Sequence, residues 1–384
     1  MIPRNAKEEL LLLASEFKAV AVTGPRQSGK TTLVRAVFPD RPYVSLENPD
    51  TRTFALQDPR GFLGQFSEGA IIDEAQRAPE LFSYLQQVLD DSPKRGHFIL
   101  TGSNNFLLQG SISQSLAGRI AYLNLLPFTL NELPPSSVTE LNAWMLRGGY
   151  PPLYDGSPEP SRWFANYIRT YIERDVRQIK NITDLNTFER FVQLCAGRTG
   201  QLLNMNSLAL ETGVDNKTIA SWISVLESSF VVFLLRPHHR NFNKRLVKMP
   251  KLYFYDTGLA CALLGISEVS NLALHPFRGA LFENLVISEL LKERLHGGKQ
   301  GGLYFWRNSV GNEIDLLIEE NNRLFPIEIK SGSTIQPAFF KGISYWEKLS
   351  GVQGGAVIYG GDGRQERSNG ITVVPWKEMH TVLK

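Results

Sequence analysis

The chain has 384 residues, 42% of them hydrophobic and 21% charged, a composition that excludes wholesale disorder and collagen-like repeats and suits two or three globular domains. The net charge of +3 is unevenly spread: residues 1–160 hold 14 basic and 17 acidic side chains, residues 161–250 hold 13 and 7, and residues 251–384 hold 14 of each. A basic centre between an acidic head and a neutral tail points to a polyanionic partner reached through the middle of the chain.

In chain order, the first apolar run is Leu10 to Leu13, which Glu8, Glu9, Glu16 and Lys18 make a poor signal-peptide core. Ala19 to Thr23 is predicted as a strand. It runs into Gly24-Pro25-Arg26-Gln27-Ser28-Gly29-Lys30-Thr31, which fits G-x-x-x-x-G-K-[ST], and a helix is expected from Thr32. Strand, glycine loop and helix is the context in which backbone N–H groups curl around phosphate oxygens at the positive end of a helix. Gly24 through Thr32 are therefore the candidate ATP-binding residues. Lys30 would reach the β- and γ-phosphates, and the Thr31 hydroxyl would complete a Mg²⁺ shell. Downstream, Ala70-Ile71-Ile72-Asp73-Glu74 reads as a buried strand closing on two carboxylates. Asp73 would hold Mg²⁺ through water, and Glu74 would polarise the water that attacks the γ-phosphate. Strands at Tyr43–Leu46, Phe98–Thr101 and Ala121–Leu125 complete an α/β fold with a five-stranded parallel sheet. At the carboxyl edge, Asn104 or Ser103 would orient the attacking water, unless the two serve only an Asx-type turn. Arg119 precedes the last strand, where it would act as a finger on a neighbouring subunit's nucleotide or as a structural arginine.

The P-loop wording, with Ile72-Asp73-Glu74-Ala75-Gln76 and Leu100-Thr101-Gly102-Ser103, resembles a bacterial and archaeal group of AAA-type ATPases that carry a C-terminal domain of unknown function. Tyr167-Ile168-Arg169-Thr170-Tyr171-Ile172-Glu173-Arg174-Asp175-Val176 is similar to the signature opening the second part in that group. The resemblance spans the chain and implies an ATPase of the AAA superfamily.

Residues 1–130 are accordingly read as the ATPase domain, and the proline-punctuated stretch 131–165 as a linker or lid. Within 166–260, helices are expected at Asn186–Gly197, Ser207–Glu211 and Asn216–Ser228, the last two across a Gly-containing turn. Phe230–Leu235 and Lys251–Tyr255 then form a hairpin, giving the order of a winged helix. The wing, 236–251, carries Arg236, Arg240, Lys244, Arg245, Lys248 and Lys251 without one acidic residue. That is a footprint for phosphate contacts on DNA. Lys217 on the second helix would face a groove, while Trp222 and Ile223 would pack inward. A basic hairpin used for protein contacts is the alternative.

In 261–384, a helix containing Glu283 precedes a strand with Asp315 and another with Glu328-Ile329-Lys330. This order resembles the PD-(D/E)xK nuclease fold. Glu328 and Lys330 share one strand face. Asp315 and Glu328 would hold a second Mg²⁺ with the Ile329 carbonyl, Glu283 could add a carboxylate, and Lys330 would orient or deprotonate the attacking water. An active nuclease, a DNA-binding remnant and a plain charged strand pair all fit that pattern. Two cysteines, Cys195 and Cys261, exclude a disulfide framework, and the apolar runs are too short to span a bilayer. The expectation is a cytoplasmic, oligomeric, Mg²⁺- and ATP-dependent protein acting on duplex or branched DNA. The alternative is a regulatory ATPase with a protein-interaction or autoinhibitory C-terminal half.

Overall fold

The computed structural model describes residues 2–103, 116–156, 158–171, 184–238 and 247–383. Asn104, Arg240, Lys244 and Arg245, and the part of the signature from Ile172 to Val176, lie outside the described residues. The chain divides into two units: Met1–Phe128 with Ser228–Phe230 and Glu293–Lys299, and the remainder from Thr129 onward.

In the first unit, β1 (Ala19–Thr23), β2 (Tyr43–Ser45), β3 (Ala70–Asp73), β4 (Phe98–Gly102) and β5 (Ile120–Asn124) form one parallel sheet in the order β2-β3-β4-β1-β5. The strands β1, β3 and β4 are buried along their whole length, which is why they read as unbroken apolar runs rather than alternating ones. Helix α1 (Ala6–Glu16) and helix α2 (Lys30–Val37) pack over one face, where Leu10, Leu33 and Val34 meet Val20, Val22, Ile71 and Ile99. On the other face, Phe62, Phe82, Leu85 and Leu89 meet Ala19, Ala21, Ile72 and Leu100. Helix α3 (Pro49–Gln57) starts where the Asn48 side chain accepts from the Asp50 and Thr51 amides. Helices α4 (Pro59–Gly64) and α5 (Leu81–Asp91) complete this layer. The carboxyl ends of β1, β3 and β4 lie on one sheet edge, the edge at which open α/β sheets bind ligands.

The stretch read as a linker or lid is packed into the second unit. Its prolines start 3₁₀ turns at Pro135–Ser137 and Pro151–Leu153, and α6 (Leu141–Arg147) lies between them. Trp144, Met145, Tyr150 and Leu153 are buried there. Helix α7 (Pro160–Tyr171) follows, its Trp163 stacked on Tyr167. Then come α8 (Leu185–Ala196), α9 (Met205–Thr212) and α10 (Asn216–Ser228). Gly213 caps α9 in the left-handed region at φ +77°, the turn the helix pair needs. Trp222 is buried against Phe188 and Phe191, as its inward position on α10 required. Strands β6 (Val232–Leu235) and β7 (Lys251–Phe254) pair antiparallel.

Helices α11 (Thr257–Leu263), α12 (Val269–Leu274) and α13 (Arg278–His296) lead to a six-stranded sheet. Its β8 (Leu303–Arg307), β9 (Glu313–Glu320) and β10 (Arg323–Lys330) form an antiparallel meander. Asn321 and Asn322, both at positive φ, make the two-residue turn between β9 and β10. Beyond helix α14 (Lys341–Ser350), β11 (Gly355–Tyr359) and β13 (Ile371–Pro375) continue the sheet in parallel with β10, and β12 (Gln365–Glu366) closes its edge. Among the described residues, no helix is long and apolar enough to cross a membrane.

Candidate functional site

The nucleotide loop is shaped by backbone geometry that its sequence permits. A Cβ on Gly24 would fall 2.0 Å from the Leu125 carbonyl oxygen, so a side chain there has no room. Gln27 at φ +60° and Gly29 at φ +91° take left-handed conformations, and Gly29 caps α2. The first-turn amides of α2 have no intrahelical acceptor, and glycine offers them no capping side chain. Helix N-termini of this kind are where anions bind. Lys30 is buried, and its Nζ donates to the Gly24 and Pro25 carbonyls at 2.9 and 2.7 Å. From the chain's start, Arg4 donates to the Ser28 and Leu126 carbonyls at 2.7 and 2.6 Å and stands over the Phe128 ring. No spacing in the sequence singled out Arg4, because its partners lie up to 122 positions away.

Three hydroxyls converge on Asp73. Thr31 Oγ1 is 3.2 Å from both carboxylate oxygens, the Tyr43 phenol donates to Oδ2 at 2.7 Å, and Thr101 Oγ1 donates to Oδ1. Burial, and then the Asp73 carboxylate, push the Tyr43 phenol up to about 12, so it is a hydrogen donor at neutral pH. Thr31 and Asp73 face each other, one hydroxyl against one carboxylate, a hard-oxygen pair that suits Mg²⁺ held also by phosphate and water. Glu74 sits at φ +55°, and its Oε2 accepts from Gln76 Nε2 at 2.5 Å and from Ser103 Oγ at 3.4 Å. Ser103 thus meets Glu74. Arg119, half-buried, donates to the exposed Asp90, with Nη2 2.9 Å from Oδ2.

In the second unit, Lys330 on β10 lies 2.9 Å from Asp315 Oδ2 on β9 and 2.5 Å from Glu328 Oε2. The Ile329 amide also donates to Asp315, at 2.8 Å. Burial, and then the nearby Asp315, push the Glu328 carboxyl up to about 8. Burial pulls the Lys330 ammonium down, but the two carboxylates outweigh it and hold Lys330 above its usual value. A Cβ on Gly342 would sit 1.9 Å from Glu328 Oε1, so glycine at the start of α14 is what admits that carboxyl.

Glu283 on α13 joins this network by a different route. Its Oε1 accepts from Lys251 Nζ at 2.9 Å and from the Tyr253 phenol at 2.5 Å. Lys251 also pairs with Glu313, whose Oε2 meets Arg307 at 3.1 Å. Among the described residues, no group of three or more His, Cys, Asp or Glu side chains is arranged to hold a metal ion. Asp315, Glu328 and Lys330 are brought together as expected from their spacing, whereas Glu283 is committed to Lys251.

The wing departs from expectation in two ways. Lys251, counted among the wing's cations, is 3% exposed and sits between the half-buried carboxylates of Glu283 and Glu313. Both described ends of the wing are stitched to β8. The Phe305 amide donates to Arg236, the His238 amide to Phe305, and the Val247 amide to Arg307, at 2.7–3.1 Å. Lys217, Arg236 and Lys248 remain exposed.

An AAA domain matches residues 16–134, a domain of unknown function (DUF8612) residues 138–270, and a second one (DUF4143) residues 278–379. The uncharacterized protein Rv2008c of Mycobacterium tuberculosis is 34% identical, the alignment covering 98% of this chain and 84% of that protein. The chain belongs to the same family. The uncharacterized protein Mb2031c of Mycobacterium bovis, another member, matches with the same identity and coverage. Among solved structures, the Walker-type ATPase of Pyrococcus abyssi is similar with a TM-score of 0.47 at 15% identity, over 68% of this chain and 96% of that one. This family member is an ATPase of the AAA, P-loop type, followed by domains of unknown function.

Proposed function

We propose that the protein is a Mg²⁺- and ATP-dependent motor or switch that acts on duplex or branched DNA as a homo-oligomer. One observation supports the nucleotide half most directly: Thr31 meets Asp73 at 3.2 Å beside a loop whose lysine is already folded over it. Gly24 to Thr32 cradle the phosphates, and Lys30 leaves its own loop carbonyls for the β- and γ-phosphates. Thr31 and Asp73 would hold Mg²⁺, which when bound supplies charge stabilisation at the transferred phosphoryl group. Glu74 accepts the proton of the attacking water, and Ser103, already against Glu74, helps to orient it; Asn104 is assigned the same task. Arg119 exchanges Asp90 for a neighbouring subunit's nucleotide.

DNA enters through the helix pair α9 and α10 with the β6–β7 hairpin. Lys217, Arg236 and Lys248, with Arg240, Lys244 and Arg245, neutralise backbone phosphates there. Asp315 and Glu328 would hold a second Mg²⁺ at a nuclease-like centre, with Lys330 orienting water; Glu283 would join them only on release from Lys251. Lys30→Ala tests the core of this reading: it should abolish DNA-stimulated ATP hydrolysis, and full retention would overturn the P-loop assignment. Loss of any Mg²⁺-dependent DNA cleavage in Asp315→Ala or Lys330→Ala would assign cleavage to the second centre.

A regulatory reading also has a specific support. The wing is tied to β8 at both described ends, and Lys251 is locked between Glu283 and Glu313, as in a module held in a fixed arrangement for protein contacts. Binding to DNA that does not weaken as ionic strength rises would favour that reading.

A further inference from the structure

We propose that Tyr43 is a positioning residue for the metal of the nucleotide site, a role that rests on the P-loop reading above. Tyr43 lies on the edge strand β2, which pairs in parallel with β3 so that Ser45 stands opposite Asp73. Its phenol reaches Asp73 Oδ2 at 2.7 Å. An ionised carboxylate offers about four lone-pair directions. The Tyr43 and Thr101 hydroxyls take one direction on each oxygen, and the Thr31 hydroxyl, 3.2 Å from both, lies between them. Held on both oxygens, the carboxylate therefore has little rotational freedom.

A closed ring of contacts fixes this geometry. Thr31 and Arg35 are four residues apart on α2 and so share one face of the helix. Thr31 meets Asp73, Asp73 meets Tyr43, and the Arg35 guanidinium stands over the Tyr43 ring at 4.9 Å. The helix that begins at the phosphate loop is thereby tied to the metal-holding carboxylate twice, once directly and once through β2. Tyr43 is 38% exposed, so its ring is not core packing, and its hydroxyl is the part that touches Asp73. Outer partners that orient a ligand carboxylate contribute to metal affinity without touching the ion.

Tyr43→Phe keeps the ring and the Arg35 contact and removes only the hydroxyl. The full chain is saturated with ADP and titrated with Mn²⁺, followed by electron paramagnetic resonance. ADP affinity is measured separately in EDTA. Tyr43→Phe should weaken Mn²⁺ binding about tenfold, the lower end for loss of an outer partner, with ADP affinity in EDTA and melting temperature unchanged. A Mn²⁺ titration superimposable on wild type overturns the proposal. So does an equal loss of ADP affinity in EDTA, which would make Tyr43 a support of the loop. Lys30→Ala separates this from failure of the underlying reading. If that variant loses ADP while Tyr43→Phe titrates normally, only the role of Tyr43 falls; if it binds ADP as wild type does, the nucleotide site itself is misassigned and the role of Tyr43 falls with it.

Discussion

Glu328 is buried beside Asp315 with one lysine serving both carboxyls, and a pH dependence follows. Its carboxyl titrates near 8 in the folded protein, against an ordinary value of 4.5. Between those values the folded protein holds a proton that the unfolded chain has released, so folding stability falls as pH rises. The contribution is complete below the ordinary carboxyl range and is gone once pH has risen through about 8. Lys330 is held above its usual value, so it keeps its charge across the whole window. Glu328→Gln should therefore flatten the decline in melting temperature between acidic and mildly alkaline buffer. The decline will not vanish, because burial also raises Asp256, Glu283 and Glu289. Differential scanning calorimetry over that pH range checks it; an unchanged slope would mean that Glu328 is ionised throughout.

Elements in the second unit are joined by Lys251, which projects from β7 to Glu283 on α13 and Glu313 on β9. Removing one partner from a buried ion pair leaves a charge without compensation, at a cost of about 3–5 kcal/mol. Lys251→Met should lose that much in chemical denaturation, and adding Glu283→Gln should recover part of it. A double mutant whose loss equals the sum of the singles would show that the two residues act independently. The sequence exposed the elements far better than this junction. The P-loop, the acidic strand ending at Asp73 and the helix pair at 205–228 are local patterns, written in apolar periodicity and a few fixed positions. Lys251 looked like a wing cation because it follows a basic run, and nothing local distinguishes a lysine that faces solvent from one that faces Glu283, 32 residues on. Tyr43 was legible as a strand residue, but its hydroxyl finds Asp73 only through the pairing of β2 with β3. The prolines at 134–135 and 151–152 marked a linker or lid, and local punctuation alone did not reveal that Trp144 and Tyr150 between and beside them are buried.

For the whole molecule, the net charge of +3 describes none of its parts. In the acidic head Asp73 ends β3 and Glu74 follows it, with Asp73 against Thr31, and the neutral tail sets Asp315 and Glu328 against Lys330. The basic middle leaves Lys217, Arg236 and Lys248 exposed. If those three cations meet DNA phosphates, each should release counterions and contribute about 0.9 to the slope of log affinity against log salt concentration. Replacing all three with Gln should weaken binding uniformly across DNA sequences and reduce that slope by about 2–3. ATP hydrolysis without DNA should be unchanged in this variant, since none of the three touches the loop, while stimulation by DNA should need a higher DNA concentration. Fluorescence anisotropy across a salt series, paired with phosphate-release assays, separates the outcomes. A variant with the wild-type salt slope would move the DNA contact elsewhere. A wild-type protein whose hydrolysis ignores DNA at every salt concentration would favour the regulatory reading, in which the tied-down wing contacts protein.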